Sequence, residues 1–254
     1  MLGAITGDII GSIYEGYSIK TKNFSLFSPR CCFTDDTVLT LAIADTILSQ
    51  GNYGEKLKEY CRKYPGAGYG SNFYNWGMSD NFDPYNSWGN GSAMRVSPVG
   101  FAFDDLDAVL REAKASAVVT HNHPEGIKGA QATAAAIFLA RTGHSKAQIK
   151  SYIKTTFNYN LETNLEQVES ADVSCAGSVP QAIIAFLEST DFEDAIRNAI
   201  FIGGDSDTIA CIAGGIAQAF YQSVPDAIAT QALAFLDQPL RCIAETFMAK
   251  YACR

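Results

Sequence analysis

The sequence predicts an all-α fold, a compact helical bundle forming one domain over residues 1–254. Three observations predict it. Apolar residues recur at i, i+3 and i+4 through most of the chain, no stretch shows β alternation bounded by hairpin turns, and 254 residues that are 47% hydrophobic suffice for one large layered core.

The first candidate helix carries Gly3, Gly7 and Gly11 at every fourth position, which leaves a groove free of side chains along one face. A glycine inside a helix costs about 1 kcal/mol relative to alanine, so three in register need compensation. Close packing of another helix supplies it, and close approach of a ligand is the alternative. A second helix starts at Asp36 and Thr37, with Val38, Leu41, Ala42, Asp45 and Leu48 at helical spacing. The same pattern runs through residues 106–119, 127–141, 179–187, 192–201, 208–221, 225–236 and 239–252.

Residues 65–91 break the pattern. The stretch is rich in Gly and Asn, holds seven aromatic residues and contains both tryptophans of the chain, Trp76 and Trp88. A long irregular loop in a compact domain is functional or disordered, and so many aromatics argue against disorder. Such rings can stack on a flat base such as adenine, or fold back as a small core.

Composition excludes several classes. Lys and Arg total 19 against 27 Asp and Glu, a net charge of −8, so a basic face for nucleic acid is not expected. The seven cysteines form no CxxC pair; Cys31 and Cys32 are adjacent, and Cys61, Cys175, Cys211, Cys242 and Cys253 are scattered. They read as small core residues of a reduced, cytoplasmic protein. The N-terminus lacks a basic region before its short apolar run and carries Asp8 and Glu15, unlike a signal peptide. No run reaches the ~18 apolar residues of a membrane span.

Two short stretches carry the chemistry: Phe33-Thr34-Asp35-Asp36-Thr37 and Gly203-Gly204-Asp205-Ser206-Asp207-Thr208. Each precedes or opens an apolar helix, where carboxylates favour the positive end of the dipole. Plain N-capping is one reading, but a helix needs a single cap and each stretch offers a surplus of acids. If the two helix starts converge, four carboxylates share a small volume and cannot all ionise without a counter-charge. A pair of divalent cations resolves the conflict. Carboxylates and hydroxyls are hard donors that suit Mg²⁺ or Mn²⁺ rather than zinc.

Five motifs in order, GAITGDIIGS (residues 3–12), FTDDT (33–37), GNGSAMRV (89–96), THNH (120–123) and GGDSDTIA (203–210), resemble the ADP-ribosylglycohydrolase family, that of the dinitrogenase reductase-activating glycohydrolase and the eukaryotic ADP-ribosyl-acceptor hydrolases. The resemblance spans almost the whole chain. Phe33 stands where Tyr is common and Ser206 where Thr is common, and neither change removes an expected ligand. The resemblance implies a two-metal centre, two Mg²⁺ or Mn²⁺, at the bottom of an ADP-ribose cleft. Thr34, Asp35 and Asp36 would bind one side, and Asp205, Asp207 and Thr208 the other, with Asp207 bridging. The metals would grip the hydroxyls of the distal ribose and polarise a water.

It further implies that Glu15 is the acid/base of the branch cleaving O-linked ADP-ribose, acting with Asp35, Asp36 and Asp207. Asp83 and Asp80 are the reserve candidates. Ser87, Trp88, Gly89 and Asn90 match a ligand-binding stretch, Trp88 or Phe82 would stack the adenine, and His121 would line the cleft. On the residues alone, His121 and His123 read as a helix-end pair and His144 as an exposed residue past a helix. The implied function is metal-dependent hydrolysis of the glycosidic bond between ADP-ribose and a modified acceptor, an ADP-ribosylated protein or an ADP-ribose conjugate. O-linked serine-type or poly-ADP-ribose linkage is favoured and arginine linkage comes next. The alternatives are a non-catalytic ADP-ribose-binding or crystallin-like relative and a dimetal phosphoesterase.

Overall fold

Residues 1–168 and 170–251 are described by a computed structural model of the chain. Ala252, the expected end of the last helix, and Cys253 lie outside the described residues. In order along the chain come α1 (Leu2–Gly11), α2 (Asp35–Ser49), α3 (Tyr53–Lys63), α4 (Ser71–Met78) and α5 (Gly91–Met94). Then follow α6 (Ser97–Ala102), α7 (Leu106–Val118), α8 (Pro124–Arg141), α9 (Lys146–Phe157) and α10 (Cys175–Leu187). The last four are α11 (Phe192–Ile202), α12 (Ser206–Tyr221), α13 (Asp226–Ala234) and α14 (Gln238–Tyr251). Among the described residues no strand forms; two isolated bridges, Gly89 with Ser174 and Ala171 with Gly204, tie loops together.

The polar residues before the helices start them by capping. Asn52, Asp105, Asp191 and Ser174 each accept a hydrogen bond from a backbone N–H of the first turn, which satisfies a donor that the helix leaves orphaned. Ser145 and Gln148 form a reciprocal capping box on α9. His123 caps α8 through its ring, with Pro124 at the first helical position where the missing N–H does no harm.

At the centre lies α1, all ten residues of which are buried. A helix buried on every side needs neighbours on every side, and α12 takes the glycine face. A Cβ on Gly3 would stand 2.2 Å from the Gly214 carbonyl oxygen, one on Gly7 2.0 Å from that of Ala210, and one on Gly11 2.5 Å from the Asp207 Cα. The two backbones therefore touch along the whole seam, and the groove read from the sequence is a helix-packing surface. Because Gly11 meets Asp207, the C-terminal end of α1 lies against the N-terminal end of α12. Helices α8, α10 and α11 surround α12, while α2 packs on α1, α3, α6 and α14.

The structure departs from expectation at residues 65–91, which are not wholly irregular. Helix α4 forms there because Phe73 and Trp76, three residues apart, are buried against the core. Its Gly77 fits over Cys61, whose Sγ would lie 2.5 Å from an added Cβ. Helices α3 and α9, and the short α5 and α6, had no expectation of their own. Helix α10 starts at Cys175, earlier than expected, because Ser174 caps it and its second turn tolerates Pro180. Cys31, Cys61, Cys175 and Cys211 are buried free thiols, whereas Cys32 and Cys242 are exposed. Among the described residues no helix is long and apolar enough to cross a membrane.

The seam makes a sharp prediction. A methyl group at Gly7 must separate two backbones rather than displace a side chain, so Gly7→Ala should lower stability by about 3 kcal/mol, the upper end of overpacking penalties. Gly66→Ala, where nothing lies within 4 Å of the new Cβ, should change it by less than about 0.5 kcal/mol. Thermal or denaturant unfolding of both variants checks this; equal stability of the two would contradict the packing.

Candidate active site

The seam positions the acids. Thr34 caps α2 through its hydroxyl, which accepts from Asp36 N–H at 3.3 Å. The Thr34 hydroxyl in turn donates to Asp8 Oδ1 at 2.6 Å, and Asp8 Oδ2 accepts from the backbone N–H groups of Thr34 (3.0 Å) and Thr37 (3.1 Å). One buried carboxylate on α1 thus anchors the start of α2. On the other side, Gly204 adopts φ +86° and a Cβ there would fall 2.1 Å from the Ala171 carbonyl oxygen. That glycine lets the 203–205 turn clamp the 171–174 segment and deliver Asp205 to the start of α12. Asn90 Nδ2 donates to Asp205 Oδ2 at 2.6 Å and to the Ser178 hydroxyl at 2.9 Å.

The two helix starts converge. Ligand atoms of Asp8, Asp36 and Asp207 lie within 4.8 Å of one another, as do those of Glu15, Asp205 and Asp207, so Asp207 belongs to both groups. Thr208 Oγ1 donates to Asp36 Oδ2 at 3.3 Å, while Asp36 Oδ1 is buried with no hydrogen-bond partner. An orphaned, buried carboxylate oxygen among hard oxygen donors fits a hard divalent cation. The cluster can hold a metal ion.

Electrostatics point the same way. Burial first, then the charge of Asp8, pushes Asp35 up to about 8. Asp36 is raised far above the ordinary carboxylate range by burial and by Asp207, and Asp207 by burial and by Asp205. Burial also raises Asp8, against the lowering effect of its hydrogen bonds to Thr34 and Thr37. Glu15, exposed on its outer side, is raised by partial loss of hydration and by Asp205. Without a cation, these carboxyls hold protons that their unfolded counterparts would release.

Above the cluster opens a cleft of about 520 Å³, within the range of small-molecule sites. Thr34, Asp35, Asp36, Asp205, Asp207 and Thr208 all line it, as does Glu15 on the loop after α1. Ser87, Gly89, Asn90 and His121 line it too. Two expected residues do not. Phe82 packs beside Lys58, whose ammonium lies 4.9 Å from its ring centroid, and is 52% exposed on the far side of α3. Trp88 is 60% exposed, with its carbonyl holding Cys175 N–H. The rings on the cleft are Phe73 and Tyr85. Asn90 lines the cleft, but its amide is spent on Asp205 and Ser178. The reserve acids Asp80 and Asp83 are exposed and off the cleft; Asp80 lies 3.4 Å from Arg62. His144 is partly buried rather than exposed, its Nδ1 within 3.1 Å of the Thr142 hydroxyl and the Leu139 carbonyl. Asp8 went unread as a site residue, although a lone acid inside a glycine-spaced apolar helix was the signal that could have found it.

The pH dependence has a definite sign. A carboxyl raised from 3.8 to about 8, as Asp35 is, binds more protons folded than unfolded in that window, so stability falls as pH rises through it. Its contribution is fully present below 3.8 and lost as pH climbs through about 8. Chelator-treated protein should therefore melt at lower temperature as pH rises from about 5 to about 8, and the gain in Tm on adding Mg²⁺ or Mn²⁺ should grow over that interval. A gain independent of pH would contradict the electrostatic reading.

Comparison with known proteins gives the family and the fold. The ADP-ribosylglycohydrolase family profile matches residues 1–253. The chain is 26% identical over 306 residues to human ADP-ribosylhydrolase ARH3, covering 87% of this chain and 84% of that protein. It is 29% identical over 260 residues to ADP-ribosylarginine hydrolase Tri1 of Pseudomonas putida (strain GB-1), covering 87% and 69%. A solved structure named ADP-ribosylglycohydrolase-related protein complex superposes with a TM-score of 0.76 at 22% identity, over 98% of this chain and 96% of the other, which shows the shared fold. Acid-rich starts of α2 and α12 meeting beneath one cleft, in a chain matched from end to end, place this protein in the ADP-ribosylglycohydrolase family.

Proposed function

We propose that this protein is a metal-dependent hydrolase of the glycosidic bond between ADP-ribose and an acceptor, with O-linked serine-type or polymer linkages as first substrates and arginine linkage next. The observation that carries the reading is the convergence of Asp36, Asp205 and Asp207 at the base of a nucleotide-sized cleft with Glu15 at its edge. Relatives named for ADP-ribosyl hydrolysis, one of them for the arginine linkage, support the bond class and leave the acceptor to experiment. Thr34, Asp35, Asp36, Asp205, Asp207 and Thr208 would hold two Mg²⁺ or Mn²⁺, with Asp207 shared. Bound there, such ions supply Lewis-acid charge stabilisation and a more acidic water.

The chain's own residues do the rest. Asp8 holds the start of α2 in place and leaves Asp36 Oδ1 free as a ligand. Asn90 holds Asp205. Glu15, at the cleft edge beside Asp205 and Asp207, carries the proton for the leaving group. As the bond to the anomeric carbon breaks, Glu15 delivers that proton to the departing acceptor atom; its carboxylate then takes a proton from the attacking water. Phe73 and Tyr85 supply the apolar wall for the nucleotide.

A panel of serine-, arginine- and polymer-linked substrates, with released ADP-ribose measured, tests the reading. Release of ADP-ribose from one of them is expected; release of inorganic phosphate or AMP, or binding without turnover, would refute it. Glu15→Gln should lower kcat by about 10²- to 10⁴-fold with ADP-ribose affinity within about threefold of the parent, and unchanged turnover would remove Glu15 from its role. Asp207→Ala should lose metal binding and activity together. Full activity of that variant in the presence of chelator would rule out the metal centre.

A further inference from the structure

A buried cation lies beneath the cleft, outside the catalytic reading. Arg95, just after α5, is 0% exposed. Its Nη2 donates to the Ser116 carbonyl at 2.9 Å and to Thr120 Oγ1 at 2.8 Å, while Nε and Nη1 are buried without a partner. Thr120 Oγ1 lies 2.7 Å from Nδ1 of His121. The imidazole is 4% exposed. Its other nitrogen, Nε2, faces the 89–91 stretch: a Cβ on Gly91 would lie 3.0 Å from it and one on Gly89 3.7 Å. Two glycines thus leave open space before Nε2, on the cleft side.

Two proton arrangements satisfy these contacts. In the first, the Thr120 hydroxyl accepts from Arg95 and donates to His121 Nδ1. In the second, His121 donates from Nδ1 to Thr120, whose own hydroxyl hydrogen then turns away from the imidazole. The guanidinium decides between them. A neutral imidazole is dipolar, negative at its lone-pair nitrogen and positive at its N–H, and Arg95 lies on the Nδ1 side with one hydroxyl between. In a buried setting that field is weakly screened, so the lone pair turns toward the cation and the proton away from it. Burial and the same Arg95 charge both oppose a doubly protonated ring.

We propose that Arg95 and Thr120 are positioning residues that lock His121 as the neutral tautomer with its proton on Nε2, presenting one N–H donor over residues 89–91 to an oxygen of the bound ligand. The identity of that ligand, an anionic nucleotide sugar rich in phosphate and ribose oxygens, rests on the function proposed above. The other tautomer would aim a lone pair at those oxygens and repel them. A histidine cleft residue therefore discriminates for acceptor-rich ligands only because a buried arginine orders its proton.

Long-range ¹H–¹⁵N correlation spectra of histidine-labelled free protein at neutral pH test the lock without any ligand, His121 being assigned by its loss in His121→Gln. The expected spectrum has an unprotonated Nδ1 and a protonated Nε2; a protonated Nδ1, or an imidazolium, overturns the proposal. Thr120→Val, which keeps shape and removes the hydroxyl, should mix the tautomers and weaken ADP-ribose binding about tenfold by calorimetry, the effect of one good hydrogen bond. Thr120→Ser should restore both. Thr120→Val with the parent's affinity overturns the proposal as well. Failure of the parent protein itself to bind ADP-ribose would instead overturn the function reading, since the tautomer is read on the free protein.

Discussion

The contact on which everything else depends is backbone against backbone, where α1 meets α12 along Gly3, Gly7 and Gly11. A glycine seam is unfavourable in an isolated helix, since each glycine enlarges the conformational freedom lost on folding. Here it lets two helix axes approach so closely that Gly11 touches the Asp207 backbone. From that contact follow the positions of Asp8 on one helix and Asp207 on the other, and through Asp8 the position of α2. The seam is thus a packing solution whose geometric output is a site. Larger residues would fill the same core with less difficulty and leave the acids apart.

What the seam assembles is electrostatically unfavourable by itself. Asp8, Asp36 and Asp207 are all buried within a few ångströms of one another, and among the described residues no Lys or Arg pairs with them. Asp8 is compensated by donors from Thr34 and Thr37, so it works as an internal anchor. Asp36 and Asp207 are less compensated: Asp36 accepts from the Thr208 hydroxyl and Asp207 from the Thr208 N–H, and Asp36 keeps an oxygen with no partner at all. A fold that retains poorly compensated acids in its core must keep them protonated or bring in positive charge, and a divalent ion held by several of them at once meets that demand. Arg95, a buried arginine near the cleft, is not spent on these acids; its bonds run to Ser116 and Thr120 instead.

The helical class was legible because core helices here bury long apolar stretches and start at capping residues, both local signals. The acid surplus before α2 and α12 was legible too, since more carboxylates stood there than capping requires. Three things were not. Asp8 sits among apolar residues, and its role depends on a neighbour 26 positions away that no local pattern announces. In residues 65–91 the aromatic count said that rings were available but not which ones turn inward: Phe73 and Trp76 do so because α4 forms, and Phe82 does not because it packs beside Lys58. Asn90 belongs to the ligand-like stretch by pattern, yet its amide is taken by Asp205 and Ser178, a pairing visible only once the 171–174 segment lies between the two loops.

The central claim, that carboxylates at the starts of two helices meet around shared divalent ions, is tested most directly by anomalous diffraction from crystals grown with Mn²⁺. The account predicts anomalous density bounded by Asp36, Asp205 and Asp207, with Asp207 contacting it. Crystals that diffract well and show manganese only elsewhere on the surface, with Asp36 Oδ1 still unpaired, would contradict it.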